Sequence, residues 1–430
     1  MDVRAAWCAA FRGMQLGLSK RYDAHSRRFE LLPVMNDRRF SHGWVLGKSG
    51  VGKSTALVRW AVDDILAGDG VAFFDPHGDA AEEVMRRIPP SRRENVVYVN
   101  PAELSTGFNI LDTVPEERKA FVAASVVESF KAIWGYGEIA TPTLDQFLYN
   151  GARALMDVPD GTLFGLKFLL TSARYRKRVI SYIKDPVVAD FWRTDFETHM
   201  PEREQRERTL STLNKIGAMI ADPAIRAVIG QPRSRIDLSA ILARGGILIA
   251  SLPQGQLGVE KSALVGSLLM SQLHLAALSR PASDRGPFHI YVDECHHFGA
   301  ATLPEMLSGI RKFGVSLVLA NQYLDQLPLR LKAALVGTAG TLIAFRIGAI
   351  DAELIEPEFH LTNDDWSLCE LAPFEAYVRT GHQTHRLTMP EADHPIYPSA
   401  PSRIRNFARA QYALPRAQVE ARLAKFIANT

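Results

Sequence analysis

The sequence predicts an α/β protein in which a mostly parallel sheet is interrupted by an all-α insertion domain. Short apolar segments alternate with amphipathic segments from 41 to 114, the alternation stops between 115 and 237, and it resumes from 238 to 350. Strands that alternate with helices along a chain form parallel sheets. Between the two core parts, apolar residues recur at helical spacing with almost no strand signal, which predicts helices.

The predicted elements follow this division. In the first core part we expect strands at 44–46, 71–74 and 96–99 and helices at 54–67 and 80–88. The insertion is predicted to contain helices at 117–133, 143–156, 165–171 and 208–220. The second core part is predicted to supply strands at 247–252, 288–292, 315–320 and 341–345. Residues 1–40 are predicted to be a lead-in with one amphipathic helix within 3–18, and 351–430 a C-terminal extension that ends in a helix at 416–427.

The composition is that of a folded globular protein. Of its 430 residues, 47% are hydrophobic and 23% are charged, and a net charge of +3 permits contact with nucleic acid without requiring it. Cys8, Cys295 and Cys369 form no CxxC pair, so neither a disulfide framework nor a structural zinc site is expected. No apolar run approaches the roughly 20 residues of a membrane span. We therefore expect a cytoplasmic protein without an integral membrane segment.

A glycine-rich segment follows the first predicted strand. It reads GKSGVGKST and matches GxxxxGK[ST] between a strand and a helix. The backbone N–H groups of such a loop surround the β-phosphate of a nucleotide, and the helix N-terminus adds a positive dipole. Lys53 is expected to reach the β- and γ-phosphate oxygens, and Ser54 to hold Mg²⁺. We predict ATP and Mg²⁺ as cofactors, with nucleotide contacts from Gly47, Lys48, Ser49, Gly50, Val51, Gly52, Lys53, Ser54 and Thr55.

Two carboxylates follow the predicted strand 288–292. Asp293 is predicted to anchor Mg²⁺ together with Ser54, and Glu294 to orient and deprotonate the attacking water. The strand at 315–320 is followed by two amides, of which Gln322 is predicted to sense the γ-phosphate. The structural alternatives are an acidic strand end that faces solvent and an amide that caps the next loop.

Two arginines are candidates for a cation that stabilises the transferred phosphoryl group. Such a cation is often delivered by the adjacent subunit of a ring. Arg311 lies in the predicted helix before the strand at 315–320, and Arg346 follows the core of the strand at 341–345. Because arginines are more often ordinary salt-bridge formers, that alternative stays open for both.

Taken together, these motifs resemble the HerA/FtsK superfamily, and especially the conjugative coupling ATPases of type IV secretion. The resemblance rests on GKSGVGKST, on FFDPHGD at 73–79, on YVDECHHF at 291–298 and on GIRKFG leading into LANQ, and it covers about 40–359. The DPHGD segment is the most specific of these, and it implies that Asp75 and His77 lie at the nucleotide. The resemblance also implies a RecA-like P-loop NTPase core, a hexameric homo-oligomer with nucleotide between subunits, and DNA, single- or double-stranded, in the channel. Nuclease, relaxase or secretion proteins are implied as partners.

Further basic and imidazole residues are candidates for binding roles. Arg174, Tyr175, Arg176, Lys177 and Arg178 are predicted to contact DNA phosphates. The arginines of PEREQRER alternate with glutamates, which predicts a self-paired, solvated helix instead. His296 and His297 are predicted to point to opposite sides of a strand end, which argues against a metal site.

The sequence therefore predicts an ATP-hydrolysing ring motor that translocates DNA. Two alternatives remain: an ATPase that drives protein secretion or assembly, and a non-hydrolytic, ATP-dependent assembly switch. DNA-stimulated hydrolysis would favour the motor over the secretion ATPase, and loss of function on replacing Glu294 would exclude the switch.

Overall fold

The computed structural model describes residues 14–23, 28–36, 41–133, 141–299, 302–360, 367–390 and 393–430. These residues form two compact units. The first unit takes its described residues from 1–98, 239–251 and 274–405, and the second from 99–238, 252–273 and 406–430. Cys295 and Cys369 are free thiols, and Cys8 lies outside the described residues.

A single large sheet organises the first unit. Among the described residues it has eleven strands, in the order β2-β1-β11-β10-β9-β3-β8-β7-β4-β6-β5. In chain order these are β1 (Met14–Asp23), β2 (Arg28–Asn36), β3 (Gly43–Leu46), β4 (Gly70–Asp75), β5 (Val96–Val99), β6 (Ile247–Ser251), β7 (Phe288–Val292), β8 (Val315–Asn321), β9 (Thr341–Ala344), β10 (Glu375–Thr380) and β11 (Gln383–Thr388).

The centre of the sheet is parallel and buried. Strands β9, β3, β8, β7, β4 and β6 are parallel neighbours, and every residue of these strands is buried. Continuous apolar strands of this kind are typical of parallel sheets covered on both faces. All seven predicted strands are present with ends within one residue, so the prediction of a mostly parallel sheet is confirmed. Their carboxyl ends meet at one edge, where the glycine-rich loop also lies.

The termini of the chain differ from the prediction. Residues 14–18 belong to β1 and not to a helix, while residues 1–13 lie outside the described part of the chain. Strand β1 pairs with β2 and with β11, and β11 continues through β10 to β9, all antiparallel. The lead-in and part of the C-terminal extension are therefore strands of the core sheet. Strands β1 and β2 pair locally, but their place in the sheet depends on the distant pairing of Leu18 with Thr388, which local periodicity does not show.

The helices complete both units. In chain order the described helices are α1 (Lys53–Ala67), α2 (Asp79–Arg87), α3 (Glu116–Ile133), α4 (Pro142–Met156), α5 (Gly165–Thr171), α6 (Ala173–Ile180), α7 (Pro186–Asp190), α8 (Glu202–Ala221), α9 (Pro223–Ile229), α10 (Leu238–Ala243), α11 (Gln254–Leu257), α12 (Val259–Leu278), α13 (Thr302–Gly309), α14 (Leu329–Thr338), α15 (Ala349–Ile355), α16 (Ala400–Tyr412) and α17 (Arg416–Ala428). Between α7 and α8, Phe191–Thr198 forms a π-helix.

The second unit is built largely from α3 to α9. Its core contains an aromatic cluster in which the Phe147 and Phe196 ring centroids are 5.8 Å apart and those of Trp192 and Phe196 are 5.2 Å apart. Because residues 252–273 and 406–430 also belong to this unit, it extends beyond the predicted insertion at 115–237. That insertion, with its boundaries, stays a prediction.

Helix α8 begins six residues before its predicted start at 208. Its first turns carry three exposed i,i+4 ion pairs, Arg203 with Glu207, Arg206 with Glu202 and Arg208 with Glu204. Pairs of this kind stabilise a helix surface without any apolar periodicity. The predicted self-pairing of this segment is therefore confirmed.

Candidate nucleotide site

The glycine-rich loop is anchored between the ends of two strands. The backbone N–H of Gly47 donates to the Asn321 carbonyl at 3.3 Å, and that of Lys48 donates to the Arg346 carbonyl at 2.9 Å. Gly50 and Gly52 have left-handed backbones, with φ of 75° and 111°, which favour glycine. The rim from Lys48 to Gly50 is exposed, whereas Val51 is buried beneath it. The loop thus has the shape and exposure that phosphate binding by backbone N–H groups requires.

Lys53 lies inside the loop. Its side chain is buried, and Nζ donates to the Lys48 carbonyl at 3.0 Å. Burial lowers the pKa of Lys53, while the charges of Glu294 and Asp293 act in the opposite direction. An ammonium group in this position faces the space that the exposed rim encloses, where it can bind phosphate oxygens.

Ser54 connects the loop to the acidic strand. Its Oγ donates to Oδ2 of Asp293 at 2.6 Å, although the two residues are 239 positions apart in sequence. Ser54 is exposed, as is Thr55 beside it, and Asp293 is 2% exposed. Burial raises the pKa of Asp293, as does nearby Asp75, and the Ser54 hydrogen bond lowers it. A hydroxyl and a carboxylate oxygen are the hard donors that Mg²⁺ prefers, so this pair fits the ion.

Glu294 follows directly and has an unusual backbone. Its φ of 47° is left-handed, which is rare for a residue without a short polar side chain and often marks a functional site. Oε1 accepts a hydrogen bond from Nε2 of Gln322 at 2.8 Å, and Oε2 lies 3.6 Å from Nδ1 of His296. Burial raises the pKa of Glu294. A carboxyl group with a raised pKa is suited to act as a general base.

Gln322 is held in place by a residue that the sequence reasoning missed. The backbone N–H groups of Gln322 and Tyr323 both donate to Oε1 of Gln326, at 2.8 and 3.2 Å. The Gln322 amide is therefore fixed at the end of β8 with its Nε2 directed at Glu294. The structure thus brings together Glu294, the predicted general base, and Gln322, the predicted sensor, as expected for residues that follow neighbouring parallel strands.

The DPHGD segment turns between β4 and α2. Asp75 is 1% exposed, and its two carboxylate oxygens accept from the backbone N–H groups of His77 at 2.8 Å and Ala81 at 2.9 Å. Asp75 therefore shapes this turn, and its expected contact with nucleotide stays a prediction. His77 is exposed at the tip and close enough to Glu294 to lower its pKa slightly.

The histidine pair after the acidic residues departs from the prediction. The His296 and His297 rings lie side by side with centroids 4.0 Å apart, not on opposite sides. The reason is that β7 ends at Val292 and residues Cys295–His297 form a 3₁₀ turn, so strand alternation no longer applies. Burial lowers the pKa of His296 to about 4 and also lowers that of His297.

The two candidate arginines lie at opposite ends of the parallel strands, Arg346 after β9 and Arg311 before β8. Arg346 is half-buried, and its backbone carbonyl accepts from the N–H of Lys48 in the loop of its own chain. Arg311 is exposed on the 3₁₀ turn Ile310–Phe313, which precedes β8. The seven residues of β8 place it roughly 20 Å from the loop edge. Arg311 therefore does not join the site of its own chain.

The candidate DNA-binding run lies on α6 in the second unit, and only part of it is accessible. Tyr175 and Arg176 are 2% and 6% exposed. Arg176 donates to Oε1 of Glu197 and to the Leu169 carbonyl, both at 2.9 Å, and its guanidinium lies over the Phe196 ring. Both residues therefore serve the core of the unit, which corrects their predicted DNA role. Arg174, Lys177 and Arg178 are exposed, and for them DNA contact stays a prediction.

Comparisons with known proteins show similarity of fold alone. No protein-family model matches the sequence, and no curated protein matches it either. Among solved structures, the chain is similar to the plasmid coupling protein TrwB in complex with ADP and Mg²⁺, with a TM-score of 0.64, 16% identity, and coverage of 91% of this chain and 97% of that one. It is also similar to VirB4 of Thermoanaerobacter pseudethanolicus, with a TM-score of 0.59, 15% identity, and coverage of 89% and 97%. The chain thus has the fold of a conjugative coupling protein, as the sequence motifs predict.

No helix in the described ranges combines the length and the apolar composition that crossing a bilayer requires.

Proposed function

We propose that this chain is a Mg²⁺-dependent ATPase that works as a ring-shaped motor on DNA. The observation that carries the ATPase proposal is the 2.6 Å hydrogen bond between Ser54 and Asp293, with Glu294 next in sequence and Lys53 buried in the loop. Four groups that phosphoryl transfer uses thereby converge at one sheet edge. The solved TrwB structures include complexes with ADP and Mg²⁺ and with an ATP analogue, which supports the same ligands for this chain.

The residues of the site have distinct roles in the proposed reaction. The loop N–H groups and Lys53 bind the phosphates, and Ser54 and Asp293 hold Mg²⁺. The ion, when bound, supplies positive charge to the β- and γ-phosphate oxygens. Glu294 accepts the proton of the attacking water in line with the leaving group. Arg346, whose backbone carbonyl bonds to the loop, stays a candidate for the cation that stabilises the transferred phosphoryl group.

Gln322 connects the presence of the γ-phosphate to the hydrogen bonding of Glu294. Its Nε2 donates to Glu294 at 2.8 Å, and an amide N–H can equally donate to a γ-phosphate oxygen. A change of partner from Glu294 to the γ-phosphate would free the carboxylate when triphosphate is present. This exchange would report hydrolysis to β8 and to the loop that follows it.

The proposed action on DNA has a narrower basis than the ATPase. It is supported by the fold shared with the coupling protein TrwB, by the sequence motifs, and by the exposed Arg174, Lys177 and Arg178. Arg311 lies away from its own site on an exposed turn, which suits delivery to a neighbouring subunit of a hexamer. In this proposal the chain acts in the cytoplasm, in conjugation or a related transfer system, with a relaxase, nuclease or secretion protein as partner.

The test compares Glu294→Gln with Lys53→Ala in ATP binding, in hydrolysis with and without DNA, and in DNA translocation. We expect Glu294→Gln to bind ATP normally and to lower turnover by about 10²- to 10⁴-fold, because a general base contributes that much. Lys53→Ala should lose both binding and hydrolysis. Parental hydrolysis in either variant would refute the ATPase assignment.

DNA dependence separates the motor from its two rivals. A translocase should hydrolyse ATP faster with DNA, whereas an ATPase that drives protein secretion need not. In a non-hydrolytic switch, the biological function would survive Glu294→Gln, since nucleotide binding is retained.

A further inference from the structure

A strained aromatic residue lies against the glycine-rich loop. The backbone N–H of Glu375 donates to the Ala372 carbonyl at 3.1 Å, which closes a turn with Pro373 and Phe374 at its centre. Phe374 has a φ of 65°. Pro at the first central position and a positive φ at the second are the pattern of a type II turn, in which the second position favours Gly or Asn. A bulky phenylalanine in that position is a conformational outlier.

The surrounding structure holds Phe374 in this conformation. Its backbone N–H donates to the Val51 carbonyl at 2.9 Å, and its carbonyl accepts from Met389 at 2.7 Å. The turn is therefore bonded directly to the phosphate-binding loop. Backbone strain that is maintained in this way tends to occur at ligand sites.

The ring of Phe374 is directed at the loop and remains accessible. A Cβ added to Gly52 would lie 2.7 Å from its Cδ1, so the ring packs on the glycine itself. The residue is nevertheless 39% exposed. The strained backbone and the partial exposure both reduce what a phenylalanine contributes to folding here, and the accessible part leaves room for a ligand.

The order of the strands indicates which end of a nucleotide faces Phe374. Glu294, at the end of β7, and Gln322, at the end of β8, lie on one side of β3, so the γ-phosphate belongs on that side. Phe374 immediately precedes β10, on the other side of β3 beyond β9. Since the nucleoside is attached at the opposite end of the triphosphate from the γ-phosphate, it leaves the loop toward Phe374.

We infer that Phe374 is the stacking platform for the base of the bound nucleoside triphosphate. The inference rests on the proposed function and names the part of the ligand that the motifs leave unassigned. Stacking uses the face of the base, which all bases share, and not its hydrogen-bonding edge. The platform by itself therefore accepts ATP and GTP with similar affinity.

The test separates the base from the phosphates. Dissociation constants for Mg·ATP, Mg·GTP and Mg·tripolyphosphate are measured by titration calorimetry for the full chain and for Phe374→Ala, Phe374→Gly and Phe374→Trp. The glycine variant relieves the left-handed backbone, so its fold is not at risk. Leu66→Ala is a control, because this exposed apolar residue lies about 20 Å along α1 from Lys53.

We expect the alanine and glycine variants to bind both nucleotides roughly 5- to 100-fold more weakly, because a base stacked on an aromatic ring contributes that much. Tripolyphosphate binding should be unchanged in every Phe374 variant, Phe374→Trp should bind nucleotide like the parent, and Leu66→Ala should change nothing. Unchanged nucleotide affinity in Phe374→Gly would overturn the inference. An equal loss of affinity for nucleotide and for tripolyphosphate would also overturn it, because Phe374 would then only support the loop. If the parent protein binds none of the three ligands, the proposed function itself is wrong.

Discussion

His42 makes the stability of the first unit depend on pH. The imidazole is 3% exposed, and its Nδ1 accepts a hydrogen bond from the backbone N–H of Leu317 at 3.1 Å. Burial, reinforced by the nearby Arg311 guanidinium, lowers the pKa of His42 from 6.5 to about 4. Between these values the unfolded chain binds more protons than the folded protein, so the free energy of unfolding rises with pH across this window.

The magnitude follows from the two pKa values. The full difference corresponds to about 3 kcal/mol, which is present above pH 6.5 and is lost as the pH falls to about 4. About 2 kcal/mol of it disappears between pH 7 and pH 5 through His42 alone. A loss of this size is a substantial fraction of the stability of a typical domain.

A matched variant isolates this contribution from other titrating groups. His42→Asn does not titrate, tolerates the left-handed φ of 60°, and still offers an acceptor for the Leu317 N–H. Free energies of unfolding are measured by denaturant titration at pH 7 and pH 5 for both proteins. We expect the parent to lose about 2 kcal/mol more than the variant. Parallel losses in the two proteins would show that His42 takes up protons equally in both states and would refute the reasoning.

Substitutions at four further residues test the fold and the site. Arg280→Ala should lower the free energy of unfolding by about 3 kcal/mol, because the buried guanidinium donates to four backbone carbonyls, and Arg280→Lys should recover only part of it in the same denaturant titration. Arg176→Ala should destabilise by about 2 kcal/mol. Arg174→Ala should leave stability unchanged and, if α6 contacts DNA, lower the salt slope of DNA binding by about one unit, whereas an unchanged slope would remove Arg174 from the DNA surface. Gly52→Ala should abolish ATP binding in calorimetry, since φ of 111° and the Phe374 ring at 2.7 Å both oppose a Cβ, and normal binding would contradict that geometry.

The parallel core and the phosphate-binding loop could be predicted because their signals are local. Each central strand is a continuous apolar segment, Asp293 and Glu294 directly follow β7, and Lys53 and Ser54 begin the helix after the glycine-rich loop. Parallel pairing of β7, β8 and β3 then brings these residues together without further information. The antiparallel side of the sheet could not be predicted in the same way, because the attachment of β1 and β2 depends on the pairing of β1 with β11, which lie far apart in sequence.

Residue roles that depend on backbone geometry were likewise beyond the sequence. The two oxygens of Asp75 accept from N–H groups of its own turn, and Arg176 lies inward beside Phe196. Residue type alone indicates ligand contacts for both and does not show these structural roles. Phe374 carried one weak signal, a proline before it in a segment without glycine, but its positive φ is visible only in three dimensions.

The electrostatics of the site connect its folding to its proposed chemistry. Burial raises the pKa of Asp293 and Glu294 and lowers that of Lys53, so in each case it disfavours the charged form that phosphoryl transfer requires. On binding Mg·ATP, Lys53 would gain phosphate charges and Asp293 would gain a cation, and both changes favour the charged forms. Glu294 is one position further on, and the Gln322 hydrogen bond that lowers its pKa would be lost if Gln322 turned to the γ-phosphate, so burial would continue to raise that pKa. That difference suits Asp293 to hold a metal ion and Glu294 to exchange a proton, although the two carboxylates are adjacent in sequence.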